Sequence, residues 1–273
     1  MTVAADSDQL FAGSIPEIYD THLVPLIFEP YAVDLAARLA SKPLANLLEL
    51  AAGTGVVTRH LAATLNPDVA IVATDLNQPM LDRACAVGTA RSVEWRQADA
   101  LQLPFGDAVF DAVVCQFGAM FFPDKAHAFA EARRVLRPGG VLIFNVWDRI
   151  EENEFAATVC DALAGMFPDN PPRFMARVPH GYHDRPTIER DLAQAGFANN
   201  PEIQVVTARS RAATPRIPAM AYCQGTPLRS EIEARSVDRL REATDVASAA
   251  IATRFGQHVV DGRIQALVIT VNS

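Results

Sequence analysis

Residues Leu47 to Gly55 read Leu-Leu-Glu-Leu-Ala-Ala-Gly-Thr-Gly, and this stretch decides the fold. A short apolar run that ends in glycines predicts a buried strand followed by a sharp turn into a helix. Because glycine has no side chain, a ligand can lie directly against the main chain at Gly53 and Gly55. We therefore expect the ligand at the end of this strand.

Strand-like and helix-like segments alternate along the chain after this turn. The predicted strands cover residues 46–50, 69–75, 93–97, 109–116, 141–147, 202–209 and 264–271. The predicted helices cover residues 55–65, 77–87, 124–136, 152–166, 186–195 and 229–255, and a helical pattern also precedes residue 45. Such alternation predicts a doubly wound α/β fold, in which helices cover both faces of a parallel sheet.

The length of 273 residues predicts one domain with a cap and not two independent cores. We expect an N-terminal helical lid over residues 1–45 and a cofactor-binding core over residues 46–148. Residues 149–273 would then supply a substrate-side loop, a helical cap and the last two strands. The prolines between residues 168 and 179 predict a loop or lid. The helix predicted at 229–255 suits either a cap or a contact between the subunits of a homodimer.

The composition argues against several classes of partner. The net charge is −8 and the sequence has no cluster of lysine and arginine, so neither nucleic acid nor an anionic membrane is the expected partner. The four cysteines are widely spaced, which predicts no metal site. Residues 1–9 lack the features of a secretory signal, and no apolar run reaches the roughly 18 residues that span a bilayer. The expected location is the cytoplasm.

A second acidic position follows the glycine turn by about twenty residues. The second predicted strand ends in Asp75, where a carboxylate can accept hydrogen bonds from both hydroxyls of a ribose. A dinucleotide turn would read GxGxxG, but the sequence from Gly53 reads Gly-Thr-Gly-Val-Val-Thr and lacks the third glycine. Glu49, just before the turn, favours a cation over a phosphate. S-adenosylmethionine fits this pattern better, because it has a ribose and an adenine but carries an ammonium and a sulfonium.

On these residues the chain resembles the class I S-adenosylmethionine-dependent methyltransferases of the ubiquinone/menaquinone-biosynthesis type (methyltransferase type 11). The likeness runs from Leu47 to about Trp147 and includes the segments 97–105, 110–118 and 133–140. It implies a Rossmann-like, doubly wound sheet of seven strands, mostly parallel with an antiparallel last strand, and a helical cap. One departure is Ala51, which stands where the family usually has the first glycine of the turn. The methyl group there should shift the methionine carboxylate without abolishing binding.

The resemblance also implies a set of residues that bind S-adenosylmethionine and its product S-adenosylhomocysteine. In this family the glycine turn holds the methionine part of the cofactor and Asp75 holds the ribose. Leu76 and Met80 pack near the adenine, and the end of the fourth strand lines the substrate mouth. The implied cofactor-binding residues are Tyr19 as a lid residue, Glu49, Ala51, Gly53, Gly55, Asp75, Leu76, Met80, Asp99, Ala100, Gln116 and Phe117.

The activity expected from this resemblance is methyl transfer to an oxygen or carbon nucleophile of a small molecule by in-line displacement. The sulfonium already activates the methyl group, so alignment of the nucleophile is the main task of the protein. A hydroxyl or acidic carbon would also need a general base, and His180 and His183 in a polar loop are the candidates. Apolar clusters near residues 117–122 and 167–175 favour an aromatic or apolar acceptor.

Two alternatives stay open at this point. The strand, turn and Asp75 spacing is compatible with an NAD(P)-dependent oxidoreductase, although the turn and the Asp99 region oppose it. A non-catalytic scaffold that keeps the S-adenosylmethionine site is the other alternative. The chain lacks an Asn/Asp-Pro-Pro-Tyr/Phe motif after the fourth strand, which argues against methylation of amino groups of nucleobases or glutamine.

Overall fold

The computed structural model describes residues 11, 13–235 and 237–273. Residues 1–9, which the sequence predicts not to form a secretory signal, lie outside the described residues. The strands are β1 (Asn46–Leu50), β2 (Ala70–Asp75), β3 (Glu94–Gln97), β4 (Phe110–Gln116), β5 (Leu136–Trp147), β6 (Glu202–Ala212) and β7 (Val260–Asn272).

Within the described residues these seven strands form one sheet in the order β3-β2-β1-β4-β5-β7-β6. β1 pairs in parallel with β2 on one side and with β4 on the other. β3 and β5 extend the parallel part, and the last strands are antiparallel to it. The order reverses between β1 and β4, and in such sheets ligands bind at the carboxyl ends of the strands beside this reversal. The predicted Rossmann-like fold is confirmed.

Helices connect the strands, as the sequence pattern predicts. They are α1 (Ile15–Ile18), α2 (Glu29–Ala40), α3 (Val56–Thr64), α4 (Gln78–Val87), α5 (Lys125–Val135), α6 (Glu154–Met166), α7 (Phe174–Arg177), α8 (Arg185–Gln194), α9 (Arg216–Gln224), α10 (Leu228–Arg235) and α11 (Leu240–Phe255). Tyr19–Phe28, between α1 and α2, is π-helical and contains Pro25. A proline inside a helix lacks the N–H for the regular hydrogen bond and its ring clashes with the carbonyl of residue i−4, so Pro25 disfavours regular α-helical winding here.

The prediction of a single helix over residues 229–255 is wrong. In its place the structure has α10, a short 3-10 turn at Val237–Arg239 and α11. The sequence Ser-Val-Asp at 236–238 consists of residues with low helix propensity, which explains why the helical region is divided. The sequence pattern does not predict the separate helix α9, whose Pro218 lies in the first helical turn, where proline is tolerated.

The described chain divides into two compact units. We call residues 29–146, 182–206 and 267–273 the sheet unit, since they contain β1 to β4 and nearly all of β5. We call the remaining segments, up to residue 28, 147–181 and 207–266, the helical unit, since they contain α6, α7 and α9 to α11. The predicted division into lid, core and cap stays a prediction.

In the sheet unit, Asp111 joins the amino ends of three strands. One carboxylate oxygen accepts hydrogen bonds from the backbone N–H groups of Ala45 and Asn46, each at 2.8 Å. The other accepts from Arg137 Nη1 at 2.6 Å. Asp111 therefore stabilises the edge of the sheet opposite to the carboxyl ends.

In the helical unit, α10 holds the proline-rich stretch that the sequence predicts as a loop or lid. The Glu231 carboxylate accepts from the backbone N–H groups of Arg173 (2.7 Å) and Phe174 (3.2 Å) at the start of α7. Its second oxygen accepts from Arg177 Nη2 at 3.0 Å. Arg235 donates to the carbonyl oxygens of residues 170 and 171. This stretch is thus tied to α10 by hydrogen bonds at both of its ends.

Candidate cofactor site

The turn after β1 is built from left-handed backbone conformations. Ala51, Gly53 and Gly55 have φ values of +52°, +58° and +83°. The turn is held on β2, because the Ala52 N–H donates to the Thr74 carbonyl at 2.9 Å. Gly55 is the residue from which α3 starts. The two glycines are needed because side chains are unfavourable in this conformation, and Ala51 adopts it despite its methyl group.

Asp75 connects this turn to the start of α4. Its Oδ2 accepts the Gly53 N–H at 2.9 Å and its Oδ1 accepts the Asn77 N–H at 2.8 Å. Burial raises the pKa of this carboxyl, while the hydrogen bonds from Asn77 and Gly53 act in the opposite direction. A carboxylate has about four lone-pair positions, so Asp75 can accept further hydrogen bonds from a diol.

Glu49 lies in β1, two residues before the turn begins at Ala51. Its carboxyl is buried, and its Oε2 accepts a hydrogen bond from the Thr58 hydroxyl at 2.6 Å. Burial raises the pKa of Glu49 to about 8; the Thr58 hydrogen bond and Arg59 lower it, and the nearby Asp75 raises it further. The carboxyl therefore carries a proton at neutral pH, and a cation placed beside it would favour release of that proton.

The loops after β2 and β3 lie together at the same edge of the sheet. The Ala98 N–H donates to the Asp75 carbonyl at 3.0 Å, and Gln97 Nε2 donates to the Leu76 carbonyl at 2.9 Å. Leu76 is 44% exposed and directly follows the buried Asp75. Asp99 is exposed, with its Oδ1 accepting the Leu101 N–H at 2.9 Å. An apolar surface and an acid are thus available beside the Asp75 carboxylate.

The end of β4 forms the next part of this edge. Gln116 is the last residue of β4 and is half-buried. Phe117 follows with a left-handed φ of +50°. Its ring meets the ring of Tyr31 edge to face, with 5.3 Å between the ring centroids. The Tyr31 hydroxyl donates to the Val206 carbonyl at 3.3 Å, so Phe117 packs against a ring that is itself fixed.

Comparison with known proteins decides the family. A family described as "Methyltransferase domain" matches residues 48–144. The ubiquinone/menaquinone biosynthesis C-methyltransferase UbiE of Pseudomonas savastanoi pv. phaseolicola is 32% identical over 185 residues, which are 63% of this chain and 71% of that protein. The chain belongs to the class I S-adenosylmethionine-dependent methyltransferases of the UbiE type.

Other relatives of the family agree with this assignment. UbiE of Ectopseudomonas mendocina is 34% identical over 170 residues, which are 57% of this chain and 66% of that protein. For two further curated relatives the matched part is 46% and 50% of their length. The solved phosphoethanolamine N-methyltransferase 2 of Haemonchus contortus, in complex with S-adenosylhomocysteine, has a TM-score of 0.57 and 15% identity, covering 94% of this chain and 56% of that one. This last likeness shows the fold alone.

The edge of the sheet fits the cofactor of this methyltransferase family. The Asp75 carboxylate suits the ribose diol, the exposed Leu76 suits one face of the adenine, and Asp99 suits the adenine amino group. Met80 is buried, so we place it in the packing beneath the exposed Leu76 and not on the surface that meets the cofactor. Ala100 is half-buried next to Asp99. The roles of these individual residues stay predictions.

Gly55 has a second requirement besides its positive φ. A Cβ at this position would lie 2.8 Å from the ring of Trp95 and 3.2 Å from the Ala84 methyl group. We expect Gly55→Ala to lower the free energy of unfolding of the protein by about 3 kcal/mol, from backbone strain plus overpacking. Urea denaturation followed by tryptophan fluorescence measures the loss.

Gly139→Ala is the control, because Gly139 has a similar φ of +78° but open space where a Cβ would lie. Its free energy of unfolding should fall only by the contribution of backbone strain, about 1 kcal/mol. Equal losses in the two variants would contradict the proposed crowding by Trp95.

The predicted lid residue Tyr19 lies in the helical unit. Its ring stacks on Phe28 with 5.0 Å between centroids and an interplanar angle of 27°, and it meets Phe11 edge to face at 6.0 Å. This aromatic packing is the arrangement that the structure gives for Tyr19, and its contact with the cofactor stays a prediction.

The structure places the two predicted catalytic histidines in different units. His180 belongs to the helical unit and is buried, with its Nδ1 2.9 Å from the Asp148 carbonyl oxygen. His183 belongs to the sheet unit and is half-buried just before Asp184, which caps α8. The contact with the Asp148 carbonyl orients the His180 ring.

Sequence reasoning missed Asn145, Trp95 and Tyr31, which contact the predicted site residues Phe117 and Gly55, and it gave Gly118 no role of its own within the segment 110–118. Asn145 carried a readable signal, since it is a polar residue inside the apolar run of β5 and pairs with Gln116 in the sheet. The others carried none, because their contacts arise between segments far apart in the chain.

Two further findings concern the described residues only. They contain no group of three or more histidine, cysteine, aspartate or glutamate side chains that could hold a metal ion. No helix among residues 13–235 and 237–273 is long and apolar enough to cross a membrane.

Proposed function

We propose that the protein transfers the methyl group of S-adenosylmethionine to a carbon or oxygen nucleophile of a small molecule by in-line displacement. The observation that carries this proposal is the Asp75 carboxylate, held by the N–H groups of Gly53 and Asn77 at the carboxyl edge of β2. The names of the UbiE relatives, which are C-methyltransferases, support carbon as the accepting atom. An aromatic or apolar acceptor is consistent with the apolar side chains that follow β4, of which Phe117 and Met120 are buried and Phe121 and Phe122 are half-buried.

The residues of the site would bind and orient the cofactor, which when bound would supply an electrophilic methyl group on a sulfonium whose leaving group is a neutral thioether. Asp75 would hold the ribose, and Leu76 would cover the adenine. The turn from Ala51 to Gly55 would offer main-chain groups to the methionine part. Because the reaction needs the nucleophile, methyl carbon and sulfur in line, holding these positions lowers the barrier by several kcal/mol.

We also propose that His180 accepts the proton that leaves the nucleophile. A carbonyl oxygen can only accept, so the contact with Asp148 requires a proton on Nδ1, and the neutral ring then carries its lone pair on Nε2. Asp148 is fixed in turn, since its Oδ2 accepts from Gln265 Nε2 at 2.7 Å. An imidazole with a defined tautomer is suited to act as a general base.

His180→Gln should lower kcat by about 100-fold or more when the acceptor has a dissociable proton, because general-base catalysis typically contributes that much. The measurement is kcat against pH, in which the acidic limb should disappear in the variant. His183→Gln is measured alongside. A larger loss in His183→Gln would move the role to that residue, and wild-type rates in both variants would mean that alignment alone suffices.

Calorimetric titration with S-adenosylmethionine, S-adenosylhomocysteine and reduced nicotinamide dinucleotides tests the cofactor assignment. Micromolar binding of the first two supports the proposal, and transfer of a radiolabelled methyl group to a panel of phenols and quinone-like acceptors then identifies the substrate class. Binding of the nicotinamide alone would favour an oxidoreductase. Cofactor binding without transfer to any acceptor would favour a scaffold.

A further inference from the structure

Two neighbouring loops of the sheet unit hold non-glycine residues in the left-handed conformation. Ala51 directly follows β1 and Phe117 directly follows β4, with φ values of +52° and +50°. The two strands pair in parallel with Leu50 opposite Cys115, so both loops leave the sheet side by side. Residues with a Cβ rarely adopt this conformation unless the surroundings enforce it. The contacts that hold Ala51 and Phe117 in this conformation therefore indicate what fixes the two loops.

Asn145 supplies one of these constraints. The Phe117 N–H points between two acceptors of this residue, its carbonyl oxygen at 3.2 Å and its side-chain Oδ1 at 2.9 Å. Asn145 is fully buried, and its Nδ2 has no hydrogen-bond partner among the residues that the structure describes. A buried amide with an unpaired donor is unfavourable for folding. The role of the Asn145 side chain is therefore the hydrogen bond that its Oδ1 accepts, which fixes the backbone of Phe117.

Gly118 supplies the second constraint. A Cβ on this residue would lie 2.5 Å from the Ala51 methyl group and 2.7 Å from Cys115 Sγ. Both distances are shorter than any real contact of a Cβ atom. The volume that a side chain at position 118 would need is occupied by the Ala51 methyl group. The alanine that departs from the family pattern is thus accommodated by a glycine on the opposite loop.

We propose that Asn145 and Gly118 are positioning residues of the cofactor site, which hold Phe117 and Ala51 in one geometry without touching the reactants. The inference rests on the proposed function, in which the turn that begins at Ala51 holds the methionine part of the cofactor and Phe117 lies at the substrate mouth. It adds a direct steric contact between the loops that carry these two residues.

Asn145→Leu tests the first constraint, because leucine has a similar size but no acceptor oxygen. S-adenosylhomocysteine should bind about tenfold more weakly, because its binding must then order a loop that the hydrogen bond already orders in the wild type. Amide hydrogen exchange in residues 115–121 should become faster without any ligand. Ile143→Val in the same strand is the control, since Ile143 is buried but has none of these contacts. It should lower Tm and leave both the affinity and this exchange unchanged.

A double-mutant cycle tests the link between the loops. Gly118→Ala should weaken binding of S-adenosylhomocysteine by about tenfold or more in the wild-type background. In the Ala51→Gly background the same substitution should be at least threefold less harmful, because the methyl group that it meets has been removed. Additive effects would overturn the link, and wild-type affinity and exchange in folded Asn145→Leu would overturn the positioning role. If the wild type itself binds no S-adenosylhomocysteine, the proposed function fails, while the exchange data still decide whether Asn145 fixes the loop.

Discussion

Replacing Asp75 with alanine should weaken the binding of S-adenosylhomocysteine by at least 100-fold. Each hydrogen bond from a ribose hydroxyl to a carboxylate contributes about 1.5–3 kcal/mol, and two such bonds exceed the roughly 2.7 kcal/mol that a factor of 100 requires. The substitution also leaves the N–H groups of Gly53 and Asn77 without their acceptor. Isothermal titration calorimetry measures the affinity.

Asp111→Ala is the matched control for this experiment. Asp111 likewise accepts two backbone N–H groups, but it does so at the amino ends of the strands. The variant should lose thermal stability to a similar extent and keep its affinity for S-adenosylhomocysteine. Comparable loss of binding in both variants would mean that the effect of Asp75→Ala is a general weakening of the sheet and not a loss of ribose contacts.

The free energy of unfolding should fall as the pH rises from about 5 to about 8, because of Glu49. The pKa of this carboxyl rises from 4.5 to about 8 on folding, chiefly through burial. Between these values the folded state keeps a proton that the unfolded state has released, so the stabilisation is complete below the lower pKa and is lost as the pH passes through the upper one. The steepest slope is about 1.4 kcal/mol per pH unit, which amounts to a few kcal/mol over the range.

Glu49→Gln should flatten this dependence, because the amide does not titrate and its oxygen can still accept from Thr58. The measurement is urea unfolding at pH 5, 6, 7 and 8. Glu131→Gln serves as the control: hydrogen bonds from Arg134 hold the pKa of Glu131 below its usual value, so this group is ionised in both states over the whole range. A slope in Glu49→Gln equal to that of the wild type would show that other groups, such as Asp75, are responsible.

The order of secondary structure could be predicted because strands and helices have different periods of hydrophobic residues. The strand ends could not. β5 was predicted from residue 141, since Pro138-Gly139-Gly140 is typical of a turn, but the strand begins at Leu136. Phe110 pairs with Leu136 and Ala112 with Val141, so the proline and glycines form a bulge inside the paired strand. Such a bulge depends on the partner strand and has no local signal.

The site residues that belong to a local sequence pattern could be predicted from the sequence. The contacts that depend on how separate segments pair in the sheet could not. The glycine turn and the terminal acid of β2 are local patterns, so Gly53 and Asp75 could be placed at one edge of the sheet from their spacing. The contact of Ala51 with Gly118 requires the register between β1 and β4. The hydrogen bond of Asn145 to Phe117 requires the register between β4 and β5, which the bulge shifts.

The central position of β1 has a consequence for synthesis on the ribosome. β1 is the first of the seven strands to be translated, yet its neighbour β4 follows about 65 residues later in the chain. At a translation rate of about 5–20 residues per second, one apolar strand edge stays without its partner for about 3–13 s. Chaperone binding to the nascent chain should therefore peak in this interval and fall once β4 has left the ribosome.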